Sequence, residues 1–151
     1  MKILETKRHL LRTMTPDDFP ALCAILQDPE VMYAYEHAFS DAKTKDWLDR
    51  QMHRYDHDGF GLWAMIRQSD GEFIGQCGLT MQDCNGRQVL EVGYLFCKSY
   101  WHKGYATEAA TACKNYAFDT LHAEEVYSIV RDTNEASQRV AQRNGMKVVD
   151  S

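Results

Sequence analysis

A short turn with a single glycine joins a strongly apolar strand to a helix, and this feature constrains the fold more than any other. The strand, Val89–Phe96, is rich in β-branched and aromatic residues, and the segment from Ala106 to Leu121 has the pattern of a helix. Gly104, in the turn, allows the backbone to approach a ligand closely, and the N–H groups of a first helical turn favour an anion. The pattern predicts a phosphate cradle, with an ordinary loop and a capped helix as the alternative.

The rest of the chain predicts a sheet with helices on both faces. Helices are expected from Thr15, as N-cap before Pro16, to Leu26, as a short restart at Asp28, and from Asp41 to Tyr55. Strands are expected at Leu10–Thr13, Leu62–Arg67 and Phe73–Thr80, with Asn85-Gly86 as a hairpin turn into Val89–Phe96. A further strand at Glu125–Val130 follows the helix. The early half therefore predicts an antiparallel meander, and the later half makes the sheet mixed.

Composition limits the function classes. The 151 residues suit one domain, 1–151, and the formal charge of −5 disfavours a nucleic-acid partner. No apolar run approaches the about 20 residues of a membrane span, and no secretory signal is visible at the N-terminus. Five cysteines without a Cys-x-x-Cys pair predict reduced thiols and a cytoplasmic protein, and the histidine spacing predicts no metal site.

The turn and its surroundings resemble the GNAT superfamily of acetyl-CoA-dependent N-acetyltransferases. The family pattern Gln/Arg-x-x-Gly-x-Gly/Ala aligns with residues 101–106, Trp-His-Lys-Gly-Tyr-Ala, and the order of strands and helices continues through 132–140 to Asn-Gly-Met at 144–146. Residues 5–12 and 15–18 look like the opening strand and helix start of the family. The resemblance implies an α/β (α+β) GNAT fold with a mixed, mostly antiparallel central sheet flanked by helices on both faces.

Within the superfamily the chain is similar to the RimJ/RimL-like group, which acetylates protein N-termini and small amines. Trp101, in place of the usual Gln or Arg, is common in that group. The family continues past Gly145-Met146 with a strand, a turn and a final strand, whereas this sequence stops at Ser151. We therefore expect the C-terminal strand to belong to a longer gene product or to be supplied by a neighbouring molecule.

The resemblance implies acetyl-CoA as co-substrate and no metal. Its binding residues would lie on the strand, in the turn and at the starts of two helices: Tyr94, Leu95, Phe96, His102, Lys103, Gly104, Tyr105, Ala106, Thr107, Asn134 and Ser137. Asn134 also suits a helix cap, and Lys98, Lys103 and Arg139 are either phosphate partners or solvated cations.

Glu91 is the candidate general base. An alkyl amine has a pKa near about 10, so a carboxylate is expected to remove its proton. Strand alternation puts Glu91, Gly93 and Leu95 on one face, and a carboxylate within an apolar strand is costly unless it has a partner. A structural ion pair is the alternative explanation of Glu91, and Asp83 and Glu36 are the other candidate bases.

The proton donor for the leaving thiolate is less clearly marked. Many family members carry a tyrosine where this chain has Ala141, and in the RimJ/RimL-like group the serine that matches Ser137 is proposed to hydrogen-bond the cofactor sulfur. Ser137 is thus either catalytic or a helix cap, and Tyr100 or Tyr105 is an alternative donor.

The resulting prediction is direct acetyl transfer to a primary amine, on a small molecule or a protein N-terminus, within a ternary complex. No Cys, His and Asp arrangement indicates a covalent acetyl-enzyme. The alternatives are a catalytically silent acyl-CoA-binding or regulatory module and a structural oligomer subunit. The resemblance also makes a homodimer an expectation, whereas no nucleic-acid or membrane partner is expected.

Overall fold

The computed structural model describes residues 2–32, 38–84, 86–97, 100 and 103–127. Five strands, a 3₁₀ turn at Pro16–Asp18 and three helices follow one another in these residues. The strands are β1 (Lys2–Glu5), β2 (His9–Arg12), β3 (Leu62–Arg67), β4 (Phe73–Cys84) and β5 (Arg87–Phe96). The helices are α1 (Phe19–Leu26), α2 (Asp41–His57) and α3 (Tyr105–Asp119).

The five strands form one antiparallel sheet in the order β1-β2-β3-β4-β5. The β4–β5 hairpin pairs Cys84 with Arg87, which leaves the predicted two-residue loop, and Gly86 in that loop has φ of 79°. Both strands are longer than the sequence pattern indicates. The antiparallel meander predicted for the early half is therefore confirmed.

A parallel contact extends the sheet beyond β5. The backbone N–H of Tyr127 donates to the carbonyl of Leu90, and the N–H of Val92 donates to the carbonyl of Tyr127, both at 2.8 Å. Because α3 lies between β5 and Tyr127 in the chain, this is a strand–helix–strand crossover. The contact supports the predicted mixed sheet, although residues 128–130 of the expected strand lie outside the described residues.

Helices cover both faces of the sheet, as predicted. On one face, α3 contributes Ala109 and Cys113 to a core with Trp63 and Cys77. On the other face, α1 and α2 pack against the sheet, and Leu48 of α2 is buried there. We call these the α3 face and the α1/α2 face. Burying each large side chain in such a core contributes about 1.5–3 kcal/mol before the entropy cost of ordering it.

The start of the chain differs from the prediction in two places. β1 was not predicted, because four residues with Lys2 and Glu5 at their ends give too short a pattern. The helix expected from Thr15 to Leu26 is divided into the 3₁₀ turn and α1. Pro20 explains the division, since in a continuous α-helix its ring would clash with the carbonyl four residues earlier.

Asp18 holds this divided helix start in place. Its carboxylate accepts two hydrogen bonds from the Arg12 guanidinium, each 2.9 Å, and one of 2.8 Å from the Thr15 N–H. At the restart expected at Asp28, the Met32 N–H donates to the Asp28 carbonyl at 3.0 Å, which closes one helical turn, and residues 33–37 lie outside the described residues.

Candidate active site

The turn before α3 has the geometry that its glycine predicts. Gly104 caps the helix with φ of 77°, a left-handed conformation in which any other L-residue is strained, and its carbonyl accepts the N–H of Glu108 at 3.1 Å. The N–H groups of Tyr105, Ala106 and Thr107 therefore belong to the first helical turn, where no intrahelical acceptor exists. The turn exposes Gly104 at the positive end of the α3 dipole.

Glu108 joins this helix start to the turn between β1 and β2. One carboxylate oxygen accepts the Thr6 hydroxyl at 2.5 Å and the Arg8 N–H at 3.1 Å, and it lies 2.9 Å from His9 Nδ1. The other oxygen accepts Arg8 Nε at 2.7 Å. Arg8 Nη1 also donates to the Lys103 carbonyl at 3.1 Å, so the two turns are held together from both sides.

The protonation states of this cluster follow from burial and hydrogen bonding. Burial raises the pKa of Glu108, but the hydrogen bonds from Thr6 and Arg8 more than offset it and bring that pKa down to about 2. Burial lowers the pKa of His9, which is completely buried, and outweighs the opposite effect of the Glu108 charge. Because the ionised carboxylate only accepts, His9 Nδ1 is the donor in its contact with Glu108.

The contacts of Glu108 were not predicted. Its place in the first turn of α3 indicated an interaction with the helix dipole, and the structure adds partners that lie about a hundred positions earlier in the chain. No local spacing signals a pair so far apart in sequence.

Tyr105, the first residue of α3, is fixed by the same turn. Its buried ring meets the His9 ring edge-on, with 4.5 Å between centroids, and the Arg8 guanidinium carbon lies 4.6 Å from the Tyr105 centroid. Tyr100 is covered in a similar way by the Arg67 guanidinium, at 4.9 Å. Both tyrosines named as alternative proton donors thus lie against arginines beside the turn.

The backbone of β5 faces alternately towards β4 and away from it. The Cys97 N–H donates to the Ile74 carbonyl on the β4 side at 3.1 Å, whereas the Val92 N–H points to Tyr127 on the other side. By alternation, the backbone groups of Tyr94 and Phe96 face away from β4, and those of Leu95 face β4. Two of the three predicted strand residues therefore direct their backbone groups to the same side of β5 as Tyr127.

The side chains of these strand residues divide between the two faces. The Tyr94 and Phe96 rings stack on the α3 face with 5.9 Å between centroids, and Leu95 packs on the α1/α2 face. Glu91 has the same strand parity as Leu95, as the alternation predicts.

Glu91 is half-buried on the α1/α2 face, opposite Thr80 of β4. The next residue on that face is Gly93, where a Cβ would lie 3.8 Å from a Glu91 carboxylate oxygen. Arg54 of α2 is close enough for the negative charge of Glu91 to raise its pKa, against a larger lowering by burial. Arg54 Nη1 also donates to the Gln51 side chain at 3.2 Å. The carboxylate therefore lies in a partly enclosed site with a nearby cation.

The remaining candidates are either distant or not described. Asp83 is exposed near the hairpin end of β4, away from the turn, and Lys103 is exposed within the turn. Cys97 is half-buried, and burial raises the pKa of its thiol. The candidates that lie outside the described residues are Glu36, Lys98, His102, Asn134, Ser137, Arg139 and Ala141.

Two kinds of feature are absent from the described part of the chain. No group of three or more His, Cys, Asp or Glu side chains is placed to hold a metal ion there. Among the same residues, no helix is long and apolar enough to cross a membrane.

The model of the acetyltransferase (GNAT) domain matches residues 8–147. This chain belongs to the GNAT acetyltransferase family. It is 35% identical over 144 residues to the protein YkkB of Bacillus subtilis (strain 168), covering 95% of this chain and 84% of YkkB. It is 31% identical over 140 residues to the N-acetyltransferase p20 of Bacillus licheniformis, covering 91% and 78% of the two chains.

A solved structure shows the same likeness. The acetyltransferase from Agrobacterium tumefaciens str. C58 superposes with a TM-score of 0.84 at 28% identity, covering 96% of this chain and 82% of the other. The GNAT domain binds acetyl-CoA.

Proposed function

We propose that this GNAT acetyltransferase transfers the acetyl group of acetyl-CoA directly to a primary amine. The observation that carries the proposal is the left-handed Gly104 at the start of α3, in the connection that follows β5, whose backbone also forms hydrogen bonds on the side away from β4. A bare α-carbon, helical N–H groups and a positive helix dipole together suit a pyrophosphate.

The binding roles follow from this placement. The N–H groups of Tyr105, Ala106 and Thr107 would hold the diphosphate, with His102 and Lys103 adding side-chain donors. The pantetheine arm would pair with the backbone of β5 at Tyr94 and Phe96, as an added strand does. Asn134 and Ser137, which lie outside the described residues, complete the proposed set as the resemblance implies.

The chemistry requires a neutral amine and a donor for the developing negative charge on the carbonyl oxygen. Glu91 would accept the amine proton, directly or through one water, from the α1/α2 face. A backbone N–H of the outer β5 edge would stabilise the oxyanion. Ser137 would orient the sulfur of the leaving thiolate, because an ordinary hydroxyl is a weak acid.

The acceptor belongs to the classes handled by the RimJ/RimL-like group, protein N-termini and small amines. Trp101 at the first motif position and Ala141 in place of the usual tyrosine support that assignment. The substrate-facing side is built from the α1/α2 face, where Glu91 and the aromatic pair Phe39 and Trp47 lie, the two rings 5.7 Å apart.

Calorimetric titration with acetyl-CoA tests the cofactor site. We expect wild type to bind and Gly104→Glu to lose binding, because the new carboxylate would repel a phosphate and occupy its place. Gly59→Glu is the matched control, since Gly59 also has positive φ, 83°, and nothing within 4 Å of a Cβ. Equal binding by all three proteins, or none by a folded wild type, contradicts the proposal.

Turnover by Glu91→Gln tests the base. With a panel of amines including a peptide N-terminus, we expect kcat/KM to fall by about 10²–10⁴ while acetyl-CoA affinity is unchanged. Glu124→Gln, an exposed carboxylate change, is the control. Unchanged turnover excludes Glu91 as the base, and cofactor binding without acetylation of any amine favours the silent acyl-CoA-binding module.

A further inference from the structure

A cavity of about 250 Å³ lies beside the Gly104 turn, on the side of the β1–β2 and β3–β4 turns. Its lining is basic and polar: Lys7, Arg8, Arg67, Gln68, Ser69 and Tyr105. Three of these six side chains are cations, in a chain whose formal charge is −5. The local excess of positive charge is therefore opposite in sign to the molecule as a whole.

The two arginines in this basic pocket are held in fixed positions. Arg8 is bound to Glu108, and Arg67 donates from both Nε, at 3.0 Å, and Nη2 to the two carboxylate oxygens of Asp70. Lys7 forms no ion pair with any carboxylate of the described residues, and its side chain is exposed. Two cations are thus partnered and oriented, while Lys7 supplies the excess charge.

The backbone that carries Lys7 is also ordered by side-chain contacts. The Gln68 amide donates to the carbonyls of Thr6 and His9, both at 2.9 Å, and Thr6 donates to Glu108. The β1–β2 turn is therefore attached to both β3 and α3, so Lys7 projects from a fixed base. A turn that is already held in place by hydrogen bonds lowers the entropy cost of binding a ligand.

The pocket and the phosphate cradle are contiguous. Tyr105 lines the pocket and is the first residue of α3, and Arg8 Nη2 lies 3.5 Å from the position of a Cβ on Gly104. An anion in the pocket and an anion at the helix start would therefore lie side by side. A ligand with two separate phosphate groups on one compact scaffold fits such a pair of sites.

We propose that the basic pocket binds the 3′-phosphate of coenzyme A, with Lys7 and Arg67 as its charged contacts. This inference rests on the proposed function, because it takes the 5′-diphosphate to lie at Gly104. Coenzyme A carries both groups on a single ribose, so the two neighbouring anion sites need no long linker between them. Lys7 supplies the point charge that no described carboxylate neutralises, and Arg67 adds a guanidinium that Asp70 holds in place.

Binding of CoA and of 3′-dephospho-CoA to matched variants tests the proposal. For wild type we expect 3′-dephospho-CoA to bind about tenfold more weakly than CoA. Lys7→Gln should weaken CoA binding about fivefold and leave the affinity for 3′-dephospho-CoA unchanged, so that the preference for the 3′-phosphate collapses. Lys45→Gln, a distant exposed change of equal charge on α2, should keep the wild-type ratio.

The outcomes separate the two proposals. If Lys7→Gln weakens both ligands equally, or neither, the 3′-phosphate assignment is wrong while the cofactor site stands. If folded wild type binds neither ligand, the proposed function fails and this inference fails with it. Because Lys7 is exposed, circular dichroism and thermal unfolding should show the variant to be folded.

Discussion

At the scale of single residues, Glu108 is the clearest case of a side chain with a structural role beside a candidate site. It collects donors from Thr6, Arg8 and His9 and is only 19% exposed. A carboxylate so satisfied is stabilised in its charged form. The start of α3, and with it Gly104, is positioned by this contact with the β1–β2 turn.

The pKa of Glu108 predicts how stability depends on pH. Its pKa is about 2 in the folded protein against an ordinary value of 4.5, so its contribution is complete above 4.5 and disappears as pH falls towards 2. The shift corresponds to about 3 kcal/mol. His9, whose pKa is lowered by burial, adds a loss of stability that begins below its ordinary value of 6.5.

Urea unfolding of wild type and Glu108→Gln between pH 7 and pH 2.5 measures this contribution. We expect the variant to be less stable at pH 7 by about 2–3 kcal/mol and to lose less stability between pH 4.5 and 2.5. Glu72→Gln, an exposed change, should stay within about 0.5 kcal/mol of wild type. Parallel curves for wild type and Glu108→Gln would exclude the role.

The sequence predicted the role of Gly104 in the turn correctly, but it did not predict the contacts of Glu108. The difference has a physical reason. A glycine between a strand and a helix has a local conformational signature, which positive φ in the structure confirms. The partners of Glu108 are set by how the first and last described elements meet in space. No residue spacing along the chain indicates that these elements are in contact. The pocket lined by Lys7 and Arg67 could not be predicted for the same reason.

At the scale of elements, two glycines that lie opposite each other in the β3–β4–β5 meander have very different surroundings. Gly78 of β4 pairs with Gly93 of β5. A Cβ on Gly78 would lie 2.0 Å from the Gly61 carbonyl oxygen, whereas a Cβ on Gly93 would have its nearest contact at 3.7 Å, with Leu62. At Gly78 the sheet lies very close to the backbone that precedes β3, whereas at Gly93 there is ordinary space for a methyl group.

Gly78→Ala and Gly93→Ala form a matched pair. We expect Gly78→Ala to destabilise the protein by about 3 kcal/mol or more, because backbone must move to admit the methyl group. Gly93→Ala should change stability by less than about 1 kcal/mol. Thermal unfolding of both variants decides the matter: similar losses would show that the close approach at Gly61 is not limiting.

The elements themselves were largely predictable. Leu62–Arg67 has the bounds expected from its apolar run, and α2 extends the expected helix by two residues, to His57. The early helix was not predicted in its divided form, since the pattern marks Thr15 as a cap but does not weigh Pro20 against a continuous hydrogen-bond ladder. β1 was not predicted because its strand conformation depends on pairing with β2, and its four residues alone do not indicate a strand.

At the scale of the whole molecule, the sheet separates two cores that differ in their access to reagents. Cys77 and Cys113 are completely buried in the core on the α3 face, with their sulfurs 3.7 Å apart. The contact with Cys113 and burial raise the pKa of Cys77 well above its ordinary value. Cys23 and Cys97, near the α1/α2 face, are partly exposed.

Thiol labelling followed by peptide mass spectrometry should therefore separate these four cysteines into two pairs with different rates. We expect Cys23 and Cys97 to react in the native state, and Cys77 and Cys113 to react only as fast as the whole molecule unfolds. Adding urea below the transition should accelerate only the second pair. Labelling of Cys77 at the rate of Cys23 would mean that the α3 core opens independently of global unfolding.

The parallel contact of Tyr127 with β5 has a consequence for the order in which the molecule assembles. The β4–β5 hairpin closes through a two-residue loop, whereas Tyr127 reaches Leu90 and Val92 only after α3 has formed and packed. Short loops close faster than long crossovers, so β5 gains its β4 partner early and its outer neighbour late. During synthesis, a nascent chain would complete the hairpin well before Tyr127 pairs with the outer side of β5.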